Sequence, residues 1–308
     1  MGSIEAQVVS DITLPNHIPE SAQTPSQASV PRLFSLEGRT IAITGAGRGV
    51  GINLAAAVLE AGGHAACIDV LPEPSPVEWA SLQKLAKSSN LTISYHKCDI
   101  TSEGSISETL DTIAKEALEA KVPLHGTIAC AGIQQKAPAV DYPIDGFRRI
   151  MEVNVTGTFL TIKHSARIFM KQKTPGSIVM IASMSGQVAN RGLTCTAYNS
   201  SKAAVHQMCR SVAQEWGQHG IRVNTISPGY IRTAMTDELL ASEPALEKMW
   251  MAGALLGRLG APEDFKAPTV FLLADGSSWM TGADLSVWVG NPKLSTEYAS
   301  TDCIAKFK

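Results

Sequence analysis

The chain has 308 residues, 44% of them hydrophobic and 18% charged, which is enough apolar material for one large α/β domain with a full core. Its net charge of −2 and its short basic clusters, Arg148-Arg149 and Lys171 to Lys173, leave no face for nucleic acid. No apolar run approaches the ~18 residues of a membrane helix, so no membrane partner is expected.

The first 36 residues are broken by Pro15, Pro19, Pro25 and Pro31 and filled with Ser, Gln and Asn, a poor core segment. They read as a disordered or loosely docked N-terminal arm. The arm lacks the apolar h-region of a secretory signal, and Glu5, Asp11 and Glu20 do not suit an Arg-rich transit peptide. Ala6 stands where a myristoylation signal after Gly2 wants Ser or Thr. A cytoplasmic protein is expected. The six cysteines match neither a zinc pattern nor a disulfide framework, and Cys67, Cys98 and Cys130 lie in strand-like runs. They read as small buried hydrophobes with no metal site.

From Arg39 onward, β-rich runs alternate with helical stretches. The predicted strands are Thr40–Thr44, His64–Val70, Thr92–Ile100, Leu124–Ala129, Ser177–Ile181, Arg222–Ile226 and Leu285–Val289. The longer helices are Gly51–Ala61, Ser105–Ala120, Ile144–Lys171 and Ala197–Gly217. Such alternation implies βαβ units. The expected fold is α/β: a Rossmann-type, doubly wound, seven-stranded parallel sheet with helices on both faces. The catalytic domain is expected at residues 37–290, with a C-terminal tail at 291–308.

The first strand ends in Thr44-Gly45-Ala46-Gly47-Arg48-Gly49-Val50-Gly51 and runs into an apolar helix. Glycines there allow a tight turn and close approach of backbone to a pyrophosphate, which the helix N-terminus attracts. The second strand ends at Asp69, where a carboxylate accepts from ribose hydroxyls and repels a 2′-phosphate. NAD is therefore preferred over NADP, although Arg48 pulls the other way and NADP is not excluded.

Further on, Tyr198 and Lys202 are four apart on one predicted helix and share a face. A free tyrosine, with a pKa near ~10, is a poor base, and a nearby ammonium lowers that value. Upstream, the strand Ser177–Ile181 ends in Ala182-Ser183-Met184-Ser185-Gly186, at the edge where open α/β sheets place ligands. Either Ser183 or Ser185 is a candidate to hold a substrate oxygen.

In order, the Thr44–Gly51 turn, Asp99, Cys130-Ala131-Gly132, Asn154, Ser183, Tyr198-x-x-x-Lys202 and Pro228-Gly229 resemble the short-chain dehydrogenases/reductases. The likeness spans roughly residues 36 to 290 and implies NAD(P)-dependent interconversion of a secondary alcohol and a ketone. It implies Tyr198 as general acid/base, Lys202 as its partner and a ribose ligand, Ser183 as substrate-oxygen donor, and Asn154 as organiser of a relay water. Cofactor contacts are implied at Gly45, Arg48, Gly49, Val50, Gly51, Asp69, Asp99, Ile100, Ala131, Gly132, Tyr198, Lys202, Pro228, Gly229, Ile231 and Thr233. The family is usually dimeric or tetrameric, so a homodimer or homotetramer is expected, with Ile144–Lys171 and Ala197–Gly217 long enough to supply the interface.

Three departures stand out. Ala129-Cys130-Ala131-Gly132 replaces the family's Asn-Asn-Ala-Gly. Ser183 precedes Tyr198 by fifteen residues where thirteen is common, the spacing Ser185 has; aligning on Gly186 favours Ser183, with two residues inserted in Gln187–Thr196. Trp288-Val289-Gly290 stands in place of the closing Asp-Gly-Gly. The Ser183–Asn190 string resembles fungal polyol dehydrogenases and sorbose reductases, so a polyol, a ketose or a fungal secondary-metabolite alcohol or ketone is the expected substrate. Met249, Trp250, Met251 and Leu255 suit either an apolar lid or a helix packing its core face. The competing reading is a catalytically silent dinucleotide-binding regulator on the same fold.

Overall fold

In the computed structural model, residues 28–288 are described, except 191, 233–235, 238–239 and 242–243. Both tails, apart from residues 28–36, and Thr233 lie outside that set.

Seven strands form one sheet in the order β3-β2-β1-β4-β5-β6-β7, every pairing parallel. They are β1 (Thr40–Thr44), β2 (His64–Asp69), β3 (Ile93–Lys97), β4 (Leu124–Ala129), β5 (Gly176–Ile181), β6 (Ile221–Pro228) and β7 (Asp284–Val287). The chain steps outward from β1 to β3, then crosses back to place β4 on the other side of β1. That reversal opens a crevice at the C-terminal ends of β1 and β4, where such sheets bind ligands.

Because β1 is covered on both faces, its side chains split between two cores. Ile41 and Ile43 pack on the face of α1 (Gly49–Glu60), α2 (Pro76–Ser88) and the C-terminal helix Lys266–Leu273. Ala42 faces the other way, towards α3 (Glu103–Glu119), α5 (Thr158–Gln172) and α6 (Thr196–Trp216). All three are fully buried. Strand alternation delivers one residue set to each layer, which is why these strands read as near-continuous apolar runs. Cys67, Cys98, Cys195 and Cys209 are buried within the fold, and Cys130 is partly buried.

The structure corrects one helix. The stretch predicted as continuous over Ile144–Lys171 is α4 (Ile144–Met151), a π-helical segment (Glu152–Gly157) and α5. A π segment widens the helix and favours functional positions. Here it carries Asn154, and its last residue, Gly157, lies so close to Ile100 that a Cβ would sit 2.7 Å from Cδ1. A seventh helix, α7 (Pro244–Ala252), covers the β6 end of the crevice, and the Lys266–Leu273 helix is α8.

Candidate active site

The glycine turn is shaped by backbone approach. Gly45 has φ +69°, and a Cβ on it would lie 2.7 Å from Ala131 Cα, so the turn after β1 packs backbone to backbone against the end of β4. A Cβ on Gly51 would fall 2.1 Å from Gly45 O, which seats the first turn of α1 directly on the loop. Gly49 has φ +62° and only open space where its Cβ would be. The residue before α1, Arg48, is exposed and makes no capping bond from its side chain, so the helix offers its first N–H groups to an anion. A glycine cradle opening onto free space at an uncapped helix end fits a dinucleotide pyrophosphate.

Asp69, at the end of β2, closes the turn. Its Oδ2 accepts from Gly47 N at 2.8 Å and its Oδ1 from Leu71 N at 3.1 Å. A Cβ on Gly47 would meet that carboxylate at 2.9 Å, so Gly47 is required here, a residue absent from the predicted set. Asp99 accepts from the amide (2.9 Å) and hydroxyl (2.7 Å) of Thr101, and these bonds, the hydroxyl first, lower its pKa. Ile100 is buried against the π segment as well as lying beside Asp99. Val50 packs against the α1 side of the core.

The Cys130 departure resolves simply. The amides of Cys130 and Ala131 both donate to Thr44 Oγ1, at 3.2 and 3.3 Å, so the β4 end is tied to β1 by that threonine. Gly132 lies between two predicted site residues: a Cβ on it would be 3.4 Å from Asn154 Oδ1 and 3.6 Å from Lys202 Nζ.

Asn154 is fully buried and its side chain is engaged. Its Oδ1 accepts from Ile133 N (2.8 Å), and its Nδ2 donates to Ile133 O and to Ser201 Oγ (3.0 Å each). Both Nδ2 protons are therefore spent, and a relay water could bond only to a carbonyl oxygen of this residue. Ser201, on α6 one residue before the lysine, was invisible as a partner because the two positions are 47 apart.

Tyr198 and Lys202 share a face of α6, with Nζ 5.6 Å from the ring centroid. Lys202 donates to Ile181 O at 2.7 Å, linking the helix to the end of β5. Burial pushes the lysine down to about 8. Burial also pushes the Tyr198 phenol up, and a hydrogen bond with Ser183 pulls it partly back. The lowering expected from the lysine is not what sets this phenol: the net shift is upward, with burial its largest cause. Of the two candidate serines, the one whose hydroxyl acts on the phenol is Ser183, which also accepts from Ser185 N at 3.1 Å.

A lysine whose folded pKa is depressed from 10.5 to about 8 destabilises the fold below about 8, and this penalty fades as pH rises towards 10.5. Lys202→Met should therefore lose activity yet melt no lower than wild type at pH 7. Its margin over wild type should shrink as melting is repeated up to about pH 10.

On the other side of the crevice, Pro228 ends β6 and Gly229 N donates to Val287 O at 3.3 Å. A Cβ on Gly229 would lie 2.4 Å from Trp288 Cβ, which demands glycine there. Ile231 pairs in an isolated bridge with Gly260, and Arg232 N donates to Gly260 O at 2.7 Å. Tyr230 stacks on Trp250 of α7, ring centroids 4.2 Å apart and planes 6° from parallel. Trp250 is buried in a small cluster with Leu240 and Leu246, packed by Leu193, Tyr230 and Leu259, so this face of α7 is core. Met249, Leu255 and Leu256 are exposed.

A sheet of this topology with a glycine cradle at its switch point, and a buried Ser–Tyr–Lys group beside it, defines a nucleotide-dependent oxidoreductase. A family profile described as "Enoyl-(Acyl carrier protein) reductase" matches residues 45–290. A "Short chain dehydrogenases/reductase notP'" of Aspergillus versicolor is 44% identical over 280 residues, 88% of this chain and 94% of that protein. A galactitol 2-dehydrogenase of Rhizobium johnstonii is 35% identical, covering 85% and 98%. The crystal structure of an NADPH-dependent 3-quinuclidinone reductase from Rhodotorula rubra superposes with a TM-score of 0.77 at 34% identity, covering 90% and 97%. D-arabinitol 2-dehydrogenases and a sorbose reductase of Candida species match as well. The chain belongs to the short-chain dehydrogenase/reductase family, and it is an NAD(P)-dependent oxidoreductase of alcohols and ketones. Among the described residues no helix is long and apolar enough to cross a membrane, and no group of three His, Cys, Asp or Glu is placed to hold a metal.

Proposed function

We propose that this enzyme oxidises a polyol at a secondary carbon to a ketose, or runs the reverse reduction, with NAD preferred. The observation that carries the reading is the Tyr198–Lys202 pair on α6, Nζ 5.6 Å from the ring centroid, with Ser183 beside it just past the end of β5. The bound nicotinamide supplies the hydride acceptor or donor. The protein's work is at oxygen. Ser183 holds the substrate oxygen towards Tyr198, and Tyr198 Oη takes the alcohol proton as the carbonyl forms, or returns it in reduction. Lys202 carries positive charge beside the phenol and bonds the nicotinamide ribose. Asn154 holds the Ile133 segment and leaves its backbone carbonyl for a water behind the lysine.

Asp69 supports NAD. Its carboxylate is fixed by two backbone amides and keeps lone pairs for ribose hydroxyls, while a 2′-phosphate would meet its charge. Exposed Arg48 is free to turn away or towards such a phosphate, so the fixed carboxylate decides. Cofactor contacts are assigned as predicted, with Gly47 added. The substrate class rests on the named relatives, and Leu255 and Leu256 leave an apolar rim that also suits bulkier ketones.

The test is turnover of purified protein with NAD(H) and NADP(H) against galactitol, D-arabinitol, ketoses, apolar ketones and an enoyl thioester. Oxidation of a polyol, faster with NAD, is expected. Activity on the enoyl thioester alone would overturn the substrate class. Tight NADH binding without turnover of any compound would favour the silent regulator. Asp69→Ala should lower the NAD/NADP selectivity by roughly 10- to 100-fold, the worth of charge-assisted bonds of about 1.5–3 kcal/mol. Unchanged selectivity would remove Asp69 from this role.

A further inference from the structure

One buried polar cluster behind the site is unused by the reaction as described. Tyr198, Lys202 and His206 lie four apart along α6 and form a single stripe. His206 is 5% exposed. Its Nε2 is 3.2 Å from the carbonyl oxygen of Ser183 and 3.3 Å from Ser227 Oγ. A carbonyl only accepts, so Nε2 carries a proton and donates to Ser183 O. On the other side of the ring, Nδ1 is 3.6 Å from Asp284 Oδ1.

Asp284, the first residue of β7, gathers the neighbouring strands and a loop. Thr225 Oγ1 and Ser227 Oγ of β6 donate to its Oδ1 at 2.7 Å each. Its Oδ2 accepts from Gln187 Nε2 at 2.7 Å and Ser286 Oγ at 2.9 Å. Gln187 opens the segment that carries the two extra residues before Tyr198. The turn between Ser183 and Gln187 also rests directly on the histidine: a Cβ on Gly186 would lie 2.7 Å from His206 Cδ2 and 2.6 Å from the Lys202 backbone.

We propose that His206 is a positioning residue for the reaction, with Asp284 as its anchor. The inference rests on the reading of Ser183 and Tyr198 given above. Ser183 sits in extended backbone just past β5, at φ −174°, where no regular hydrogen-bonding ladder fixes it. Its carbonyl accepts from Gly186 N at 3.0 Å within its own short turn and is tied to α6 by His206, and its hydroxyl accepts from Ser185 N beside Tyr198. The histidine therefore sets the peptide from which the serine hydroxyl projects, on the same helix that carries the phenol. The distance between Ser183 and Tyr198 is fixed through α6 rather than through the fifteen intervening residues. Asp284 ties the same arrangement to Gln187, so the serine turn and the start of the substrate-side segment are set from one carboxylate.

The test compares His206→Phe with His206→Gln, using the polyol that wild type turns over fastest. A misplacement of about 1 Å costs on the order of 10²-fold, so kcat of His206→Phe should fall by that order, with NADH affinity held within about twofold. His206→Gln keeps an N–H able to reach Ser183 O and should recover kcat to within about tenfold of wild type. The proposal is overturned if His206→Phe keeps wild-type kcat. It is equally overturned if both variants lose activity together with NADH affinity and melting temperature, which is the mark of a packing role. Tyr198→Phe run alongside separates the two layers. Full activity there sinks the catalytic reading itself, whereas an inactive Tyr198→Phe beside an active His206→Phe sinks only the histidine's role.

Discussion

Tyr198→Phe is expected to lower kcat by roughly 10²–10⁴-fold, the usual worth of a positioned general acid/base, while NADH still binds. The phenylalanine ring fills the same partly buried volume on α6, so the glycine cradle, Asp69 and Lys202 are untouched. What disappears is one hydroxyl, the partner of Ser183. Burial pushes that phenol above its ordinary value. A phenol that holds its proton at neutral pH is ready to donate in ketone reduction and a weak base for alcohol oxidation. Reduction rates should therefore be sustained through neutral pH, and oxidation should accelerate as pH is raised. Initial rates in both directions from pH 6 to 10, with NADH titrated by fluorescence, check all three statements. A Tyr198→Phe enzyme with wild-type kcat, or an oxidation rate that falls with rising pH, would count against Tyr198 as the proton carrier.

The parts of this site that could be read in advance are those whose chemistry is local in the chain. The glycine turn is a contiguous string after a strand buried along its whole length, and Tyr198 with Lys202 needs only the helical repeat to share a face. The strand β1 and the strand β4 fall on the residues that composition marks, because β1 is enclosed throughout and β4 at every position but His125. The π segment was not legible: Val153, Asn154, Val155, Thr156 and Gly157 are weak helix formers, but a dip in propensity does not say that the chain stays helical with a wider turn. Nor was the bonding of Asn154, Thr44 or His206. Their partners are Ile133 and Ser201, Cys130 and Ala131, and Asp284, each brought close only when crossovers stack the strands. The choice of Ser183 over Ser185 likewise turned on which hydroxyl faces α6, a matter of backbone geometry in one short turn.

Gly51→Ala should damage cofactor binding and fold together, more than any other single methyl added to the turn. The new Cβ would lie 2.1 Å from Gly45 O and 2.7 Å from Gly45 C, and both are backbone atoms of a loop already pressed against Ala131. Nothing in that contact is the end of a flexible side chain, so either α1 moves off the loop or the loop opens. Overpacking of this kind costs about 1–3 kcal/mol, which for a domain of this size lowers the melting temperature by about 2–5 °C. The displaced N-terminus of α1 also no longer points its N–H groups at the pyrophosphate, so NADH affinity should fall by at least about tenfold. Gly104→Ala is the matched control. Gly104 lies in the first turn of α3, nothing is within 4 Å of its would-be Cβ, and alanine is favoured over glycine in a helix by up to about 1 kcal/mol. It should melt no lower than wild type and bind NADH normally. Calorimetry and fluorescence titration on the two variants decide the matter. If Gly51→Ala behaved like Gly104→Ala, the close seating of α1 on the glycine turn would not be what forms the dinucleotide cradle.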